Sequence, residues 1–153
     1  MYYFLVEDFR RLNEQIEKIN RKIAEIGKDM GESCREGAET FHDNFVYEDG
    51  ERQQYMLSTH LRKLIGIRNS ARIVAPGPEL IVSIGKTVKF RDQSGTEHIH
   101  KIGSYLTFNS SDDDFIISYN SPLARLIVGA KKDEVRMGKV GHTSQSITIT
   151  DIS

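Results

Sequence analysis

Apolar residues recur at alternating steps of three and four through the first part of the chain. The series consists of Phe9, Leu12, Ile16, Ile19, Ile23, Ile26 and Met30. The intervening positions are mainly Asn, Glu, Gln, Lys and Arg, which suit the solvated face of a helix. This spacing is typical of the a and d positions of a coiled coil, and it predicts a long amphipathic helix that ends near Gly31.

So narrow an apolar stripe needs a partner helix to cover it. The same spacing resumes at Leu57, Leu61, Leu64 and Ala71, with Arg68 as the exception in the series. Because two long helices joined by a short connection pack antiparallel, residues 6–74 are predicted to form a helical hairpin. Two helices of a globular bundle are the alternative, and the narrowness of the stripe favours the hairpin.

The period changes after Ala75-Pro76-Gly77-Pro78, a segment that breaks a helix. Short alternating or β-branched stretches then predict strands at 80–84, 87–90, 98–102, 105–108, 115–119 and 146–150. The composition of 92–95 favours a hairpin turn, and Ser121 followed by Pro122 predicts the cap and first turn of a short helix. The second half is therefore predicted to be a compact antiparallel β domain with one helix.

A length of 153 residues allows one ordinary domain or two small ones. We predict an α+β chain with a coiled-coil hairpin over 1–75 and the β domain over 79–153. The sequence has no run of about 18 apolar residues, and its first residues lack the basic leader of a secretory signal. With a single cysteine, Cys34, no internal disulfide can form. We therefore expect a cytoplasmic monomer that has no contact with a membrane.

Charge is unevenly distributed although the formal net charge is only -1. The stretch from Asp29 to Glu51 contains eight acidic residues and one basic residue, Arg35. This stretch includes the predicted turn of the hairpin. The region from 52 to 78 has no acid and five bases, namely Arg52, Arg62, Lys63, Arg68 and Arg72. A charge run is commonly just a solvated face. At about 1.5 Å per residue, the predicted hairpin would be a rod on the order of 40 Å long. Carboxylates at the tip of such a rod could instead enter a channel that is too narrow for a globular domain.

The most specific string in the sequence is Ser121-Pro-Leu-Ala-Arg-Leu-Ile-Val-Gly-Ala-Lys-Lys-Asp-Glu-Val135. It resembles the Ser-Pro-(Ile/Leu)-Ala-Arg segment, ending in Gly-Asp-Glu-Val, of the Gre family of bacterial transcription elongation factors. The resemblance extends over the hairpin, the linker and the β domain, which in this family is FKBP-like. It implies a protein without a cofactor of its own that binds bacterial RNA polymerase at the secondary channel. It also implies that carboxylates at the hairpin tip share the Mg²⁺ of the polymerase active site, so that the polymerase cleaves backtracked RNA.

The tip, residues 32–49, departs from the familiar family pattern Gly-Asp-x-x-Glu-Asn-Ala-Glu-Tyr. The matching stretch begins at Glu39 and reads Glu-Thr-Phe-His-Asp-Asn-Phe-Val-Tyr. Asp43 stands where the family has Glu, and Thr40 stands where it has Asp, with Glu39 one residue earlier. A divergent Gre-like branch has a similar His-Asp-Asn-Phe tip. The resemblance thus makes Asp43 and Glu39 the candidate Mg²⁺-sharing residues, and two loop carboxylates without this role are the alternative.

Other residues are candidates for binding the partner molecules. The resemblance implies that the polymerase is bound through the docking segment, Ser121, Pro122, Leu123, Ala124 and Arg125. The alternative is that this segment has its sequence only because it caps a helix that packs over the sheet, with no role in binding. Arg62 and Lys63 could attract the phosphates of nascent RNA, or else pair with glutamates of the first helix. Tyr47 could contact RNA, although packing of Phe45 and Tyr47 into the hairpin turn is preferred.

Three functions remain open from the sequence. The first is stimulation of transcript cleavage, in which the polymerase and not this protein is the enzyme. The second is a Gre-like regulator that enters the channel and inhibits or modulates the polymerase without cleavage. The third, an FKBP-type prolyl isomerase, is disfavoured because the aromatic residues of the second half have the positions of strand core residues. His98 and His100 share a strand face, but without a third ligand a solvated face is favoured over a zinc site.

Overall fold

A computed structural model of the chain describes residues 1–36, 45–108 and 115–153. It divides into two compact units, one formed by Met1–Phe9 with Ala71–Ser153 and the other by Arg10–Ser70. The elements in chain order are β1 (Tyr2–Phe4), α1 (Val6–Glu36), α2 (Phe45–Asn69), β2 (Ala71–Ile73), β3 (Thr87–Arg91), β4 (Glu97–Gly103), β5 (Ile116–Ser118), α3 (Pro122–Ile127), β6 (Val135–Val140) and β7 (Thr143–Ile152). The predicted α+β class is confirmed.

The unit Arg10–Ser70 consists of two helices that pack antiparallel. The buried apolar residues of this unit are Leu12, Ile16, Ile19 and Ile26 of α1 and Leu64 and Ile67 of α2. Those of α1 all belong to the predicted stripe. Residues of α1 contact residues of α2 in reverse order, since Met30 lies against Gly50 and Gly27 lies against Gln54. The predicted helical hairpin is therefore confirmed.

Two glycines allow side chains of one helix to approach the backbone of the other. A Cβ at position 50 would lie 2.5 Å from Met30 Cγ, so any larger residue there would require this methionine to move. At position 27 a Cβ would lie 3.0 Å from Gln54 Nε2, and that nitrogen donates to the carbonyl oxygen of Ile23 at 3.1 Å. Gly27, a poor helix former, thus exposes a backbone carbonyl to a cross-helix hydrogen bond.

The hairpin differs from the prediction at its boundaries. Helix α1 does not end near Gly31 but continues to Glu36. In α2 the buried residue at the end of the stripe is Ile67, beside the polar Arg68. Ala71 does not belong to the helix, because α2 ends at Asn69 and Ala71 begins strand β2.

The other unit contains a five-stranded sheet in the order β5-β4-β3-β7-β6. Its neighbours pair antiparallel except β4 and β5, which pair parallel, so the sheet is mixed rather than wholly antiparallel. Helix α3 covers one face, and the buried core comprises Val82, Val88, Phe90, Ile102, Ala124, Ile127, Ala130, Ile147, Ile149 and Ile152. The predicted turn is present, with Gly95 N–H donating to the carbonyl oxygen of Asp92 at 3.0 Å.

The N-terminal nine residues belong to this sheet-containing unit. Strand β1 pairs parallel with β2, with Tyr3 opposite Arg72. The Tyr2 ring lies 4.3 Å from that of Tyr105, and the Tyr3 ring lies 5.9 Å from that of Tyr119, measured between centroids. The predicted division of the chain at 75–79 therefore does not coincide with the division in the structure, where 1–9 and 71–75 are grouped with the second half.

Several short strands also differ from the sequence-based expectation. Residues 80–84 contribute only an isolated bridge between Ile81 and Lys131, and 105–108 form no strand. Strands β1, β2 and β6 were not predicted. Within the described ranges, no helix combines the length and the apolar character needed to cross a membrane.

Candidate functional site

The two candidate Mg²⁺-sharing residues, Glu39 and Asp43, lie outside the residues that the structure describes. The described chain stops at Glu36 on one side of the tip and resumes at Phe45 on the other. Their proposed role therefore stays a prediction from the sequence.

The residues next to this gap form an apolar surface with acidic neighbours. Phe45 is 74% exposed and Tyr47 39% exposed. The expectation that the side chain of Phe45 packs into the hairpin turn is therefore wrong. The side chain of Tyr47 is partly covered. A hollow of about 190 Å³ lies here, lined by Ile26, Asp29, Met30, Phe45, Val46, Asp49, Gly50 and Gln53. The described end of the hairpin thus presents both carboxylates and apolar surface.

Two basic residues of α2 are available to a partner. Arg62 and Lys63 are exposed, and neither forms an ion pair with any residue that the structure describes. Arg52 pairs within its own helix, with Asp49. The alternative of pairing with the glutamates of α1 is therefore not realised for Arg62 and Lys63. Arg72 was expected on the same helix, but it lies in strand β2.

The docking segment begins α3, as predicted. Ser121 is the N-cap, and its side chain accepts a hydrogen bond from the N–H of Ala124 at 3.3 Å. Pro122 occupies the first turn, where its missing N–H costs no helical hydrogen bond. Ala124 is fully buried, and Leu123 packs against the core of the sheet. Ser121, Leu123 and Ala124 therefore have a structural role that explains their presence without a partner.

Pro122 and Arg125 are the exposed members of the docking segment. Asn120 holds the guanidinium of Arg125, because its Oδ1 accepts from Arg125 Nε at 3.0 Å and from Nη2 at 2.6 Å. One residue in the turn before α3 therefore orients the exposed cation. The sequence prediction missed Asn120, although an Asn directly before a Ser-Pro cap could have indicated such a contact.

The two strand histidines are not a freely solvated pair. The rings of His98 and His100 stack on the buried Phe90, with centroids 5.3 and 5.7 Å from it. His98 Nε2 also lies 2.9 Å from Asp92 Oδ2. In the described part of the chain no group of three or more His, Cys, Asp or Glu residues is arranged to hold a metal ion. The pair is thus a partly covered extension of the core.

The pKa of Asp92 is clearly lowered from the usual value of an aspartate. The hydroxyl of Ser94 lowers the pKa of this carboxyl most strongly, and the contact with His98 lowers it further. The N–H groups of Ser94 and Thr96 also donate to Asp92 Oδ1, at 2.9 and 3.0 Å. All these partners stabilise the ionised form; Ser94 and Thr96 lie in the β3–β4 turn, and His98 lies near the start of β4. The shift therefore indicates a stabilised turn rather than a catalytic acid.

Comparison with known proteins matches both halves of the chain. Residues 78–153 match the family model described as transcription elongation factor, GreA/GreB, C-terminal. The chain is 30% identical over 143 residues to the transcription elongation factor GreA of Staphylococcus aureus strain JH9, a match that covers 91% of this chain and 80% of that protein. The crystal structure of GreA factor homolog 1 of Thermus thermophilus is similar at a TM-score of 0.44 and 19% identity, over 99% of this chain and 97% of that chain. For the homologue of Thermus aquaticus the TM-score is 0.44 and the identity 16%, over 98% and 96%.

Proposed function

The chain belongs to the GreA/GreB family of transcription elongation factors, and from that premise we propose that it binds RNA polymerase and stimulates cleavage of backtracked RNA. The observation that carries this proposal is the match to GreA, which spans 91% of the chain and therefore includes residues of both units. In this proposal the protein is not itself the enzyme; it contributes side chains to an active site that belongs to the polymerase.

The exposed side of α3 is the proposed polymerase-binding surface. Arg125 is held by Asn120, so less conformational entropy is lost when the guanidinium meets a carboxylate of the partner. Pro122, one turn earlier, adds a rigid apolar contact. The buried members of the docking segment hold this surface in place.

The tip carboxylates are proposed to act on the polymerase Mg²⁺. Asp43 and Glu39 would be the oxygen ligands, which is the donor type that Mg²⁺ prefers. When bound, this ion stabilises the charge that develops on the scissile phosphate and activates a water molecule. Arg62 and Lys63, exposed and unpaired with any described residue, are proposed to attract the phosphates of the displaced RNA.

A channel-occupying regulator without cleavage activity is the second candidate. The observation in its favour is the altered tip sequence, with Thr40 and Asp43 in place of the Asp and Glu of the usual pattern. A shorter carboxylate at position 43 reaches less far toward a metal. The prolyl isomerase is disfavoured further, because Phe90 is buried beneath two histidines and the ring of Tyr119 contacts that of Tyr3.

Stalled elongation complexes provide the test. Transcript cleavage is measured with the parent protein and with Asp43→Asn, Glu39→Gln and the matched control Asp151→Asn, which removes an exposed carboxylate from the sheet unit. We expect Asp43→Asn to lose at least tenfold in cleavage rate, Glu39→Gln to lose less, and Asp151→Asn to remain unchanged. Polymerase affinity should stay the same in all three.

Titration with Mg²⁺ then separates the two candidate functions. Loss of one anionic ligand weakens metal binding, so excess Mg²⁺ should partly restore cleavage by Asp43→Asn. Equal cleavage by Asp43→Asn and the parent at low Mg²⁺ would contradict metal sharing. Polymerase binding without any cleavage by the parent would support the regulator instead.

A further inference from the structure

A groove runs along the hairpin unit between α1 and α2. Its volume is about 760 Å³, within the range of roughly 300–1,000 Å³ that small-molecule sites occupy. The lining residues are Gln15, Lys18, Ile19, Arg21, Lys22, Glu25, Leu57 and His60. None of these residues has a role in the function proposed above.

One wall of the groove is strongly cationic. Lys18, Arg21 and Lys22 are exposed and fall within little more than one turn of α1, so their side chains share a face. None of the three forms an ion pair with a residue in the described ranges. By contrast, Arg10, nearer the start of α1, pairs with Glu14 at 3.3 Å. The groove therefore carries three cations and one carboxylate, Glu25, and has a positive balance of charge.

The floor and the far wall have a different character. Ile19 is 8% exposed and Leu57 is half-buried, and together they provide an apolar surface between the helices. His60 adds a flat ring from α2. Glu25 also lines the groove, one helical turn after Arg21 and Lys22, and its carboxylate could accept a hydrogen bond from a hydroxyl.

We propose that this groove binds a nucleoside triphosphate. The phosphates lie against Lys18, Arg21 and Lys22, and the base lies on the apolar floor beside His60. Glu25 accepts from a ribose hydroxyl. A nucleotide combines the polyanion, the flat apolar ring and the hydroxyl groups that these three parts of the groove require, whereas inorganic phosphate satisfies only the first.

Calorimetric titration of the full chain tests the proposal with four probes: guanosine triphosphate, guanosine, inorganic triphosphate and a ten-nucleotide single-stranded RNA. We expect guanosine triphosphate to bind, inorganic triphosphate to bind at least fivefold more weakly, and guanosine to show no measurable binding. Equal affinity for the two triphosphates would remove the role of the apolar floor and overturn the nucleotide assignment. Binding of the RNA without binding of the free nucleotide would overturn it in favour of an RNA-tracking surface.

Charge-matched variants test the position of the site. The double substitution Lys18→Gln with Lys22→Gln should lower the affinity for guanosine triphosphate at least tenfold. The control Lys28→Gln with Lys132→Gln removes the same charge from exposed positions outside the groove and should change it less than twofold. Equal losses in both variants would show a general charge effect and contradict the site. Circular dichroism of both variants establishes that the helices are retained.

Discussion

The hydroxyl of Ser104 donates to the carboxylate of Asp8 at 2.6 Å. The same hydroxyl accepts from the N–H of Leu5 at 2.8 Å, directly before α1 begins at Val6. Ser104 is the one fully buried polar residue in the described part of the chain. A residue 99 positions away from Leu5 therefore satisfies a backbone donor at the start of α1, a task that an N-terminal side chain of the helix itself usually performs.

Ser104→Ala should destabilise the sheet unit by about 1–3 kcal/mol, because it removes the partly buried hydrogen bonds of the hydroxyl to the N–H of Leu5 and to the carboxylate of Asp8. Chemical denaturation followed by circular dichroism measures the loss. Asp8→Asn retains an acceptor for the hydroxyl and should cost less. Ser144→Ala, at an exposed position, should change stability by no more than about 0.5 kcal/mol. Equal effects at 104 and 144 would refute the role of the buried hydroxyl.

Alanine substitutions at two glycines of α2 should have opposite outcomes. A Cβ at Gly66 meets no atom within 4 Å, so Gly66→Ala should stabilise the hairpin by up to about 1 kcal/mol through helix propensity. Gly50→Ala gains the same propensity but collides with Met30, so its net effect should be neutral or destabilising. Addition of Met30→Ala to Gly50→Ala should reduce the penalty in a double-mutant cycle. Identical melting curves for the two glycine variants would contradict the close approach.

The low pKa of Asp92 predicts a specific dependence of stability on pH. Ionised Asp92 stabilises the folded state above about pH 4, and this contribution is lost as the pH falls through the lowered pKa of the folded state. Asp92→Asn should therefore lower Tm at pH 7, and its difference from the parent should shrink as the pH is lowered below about 4. Asp151→Asn, which removes an exposed carboxylate from another part of the same sheet, is the matched charge control. A difference that stays constant across this pH range would rule out the contribution of Asp92.

Arg125→Ala and Ser121→Ala should separate binding from stability. Arg125→Ala should weaken polymerase binding at least fivefold without changing Tm, because the side chain is exposed and its hydrogen bonds go to Asn120 in the adjacent turn. Ser121→Ala removes the N-cap of α3 and should cost about 1 kcal/mol of stability. Binding by surface plasmon resonance and thermal melting measure the two effects. Loss of fold in Arg125→Ala would favour a purely structural role for the docking segment.

Neutralisation of Arg62 and Lys63 should reduce crosslinking of backtracked RNA to α2 by severalfold and make the remaining crosslinking less sensitive to salt. Both side chains are exposed, so the fold should be unaffected. Arg52→Gln is the control, since Arg52 is already paired with Asp49. Unchanged crosslinking in the double variant would exclude a contact with RNA.

The helical hairpin was predictable because its stripe of apolar residues repeats over many turns. Ala71 continued that repeat by coincidence, and only its pairing with Tyr2 in the folded chain makes it a strand residue. Strands of three residues, such as β1 and β2, are too short to display a period. Their existence depends on tertiary contacts, which the local sequence does not encode.

Strand β6 alternates between covered and exposed residues, but the sequence did not predict it because two of its inward positions are not occupied by apolar side chains. Arg136 and Gly138 occupy inward positions, while Met137 between them is 78% exposed. At the inward position 138 a Cβ would lie 2.8 Å from Leu126 Cδ1 of α3, so glycine leaves room for this leucine. The apolar partner of this face is thus supplied by the helix, and hydrophobicity along the strand alone does not reveal it.

In the candidate docking surface the sequence indicated the capped helix, because Ser121 and Pro122 act locally. It did not separate the exposed Arg125 from the buried Ala124, since that distinction depends on which side of α3 meets the sheet. The role of Asn120 likewise arises only once the turn before α3 has folded. Local capping signals are readable from a sequence, whereas the division of a helix into buried and exposed residues requires its packing partner.

The parallel pairing of β1 with β2 also bears on the order in which the chain folds. Residues 5–70 separate the two strands in sequence, and closing so long a loop from flexible coil is entropically unfavourable. Contacts within the hairpin, such as Met30 with Gly50, join residues much nearer in sequence and form sooner. A hairpin that folds first brings its own ends together, so that pairing of Tyr3 with Arg72 has only a short gap to close. We therefore expect the helices to pair first and the small parallel ribbon to form afterwards, and we expect a substitution that slows the pairing of the helices to delay the ribbon.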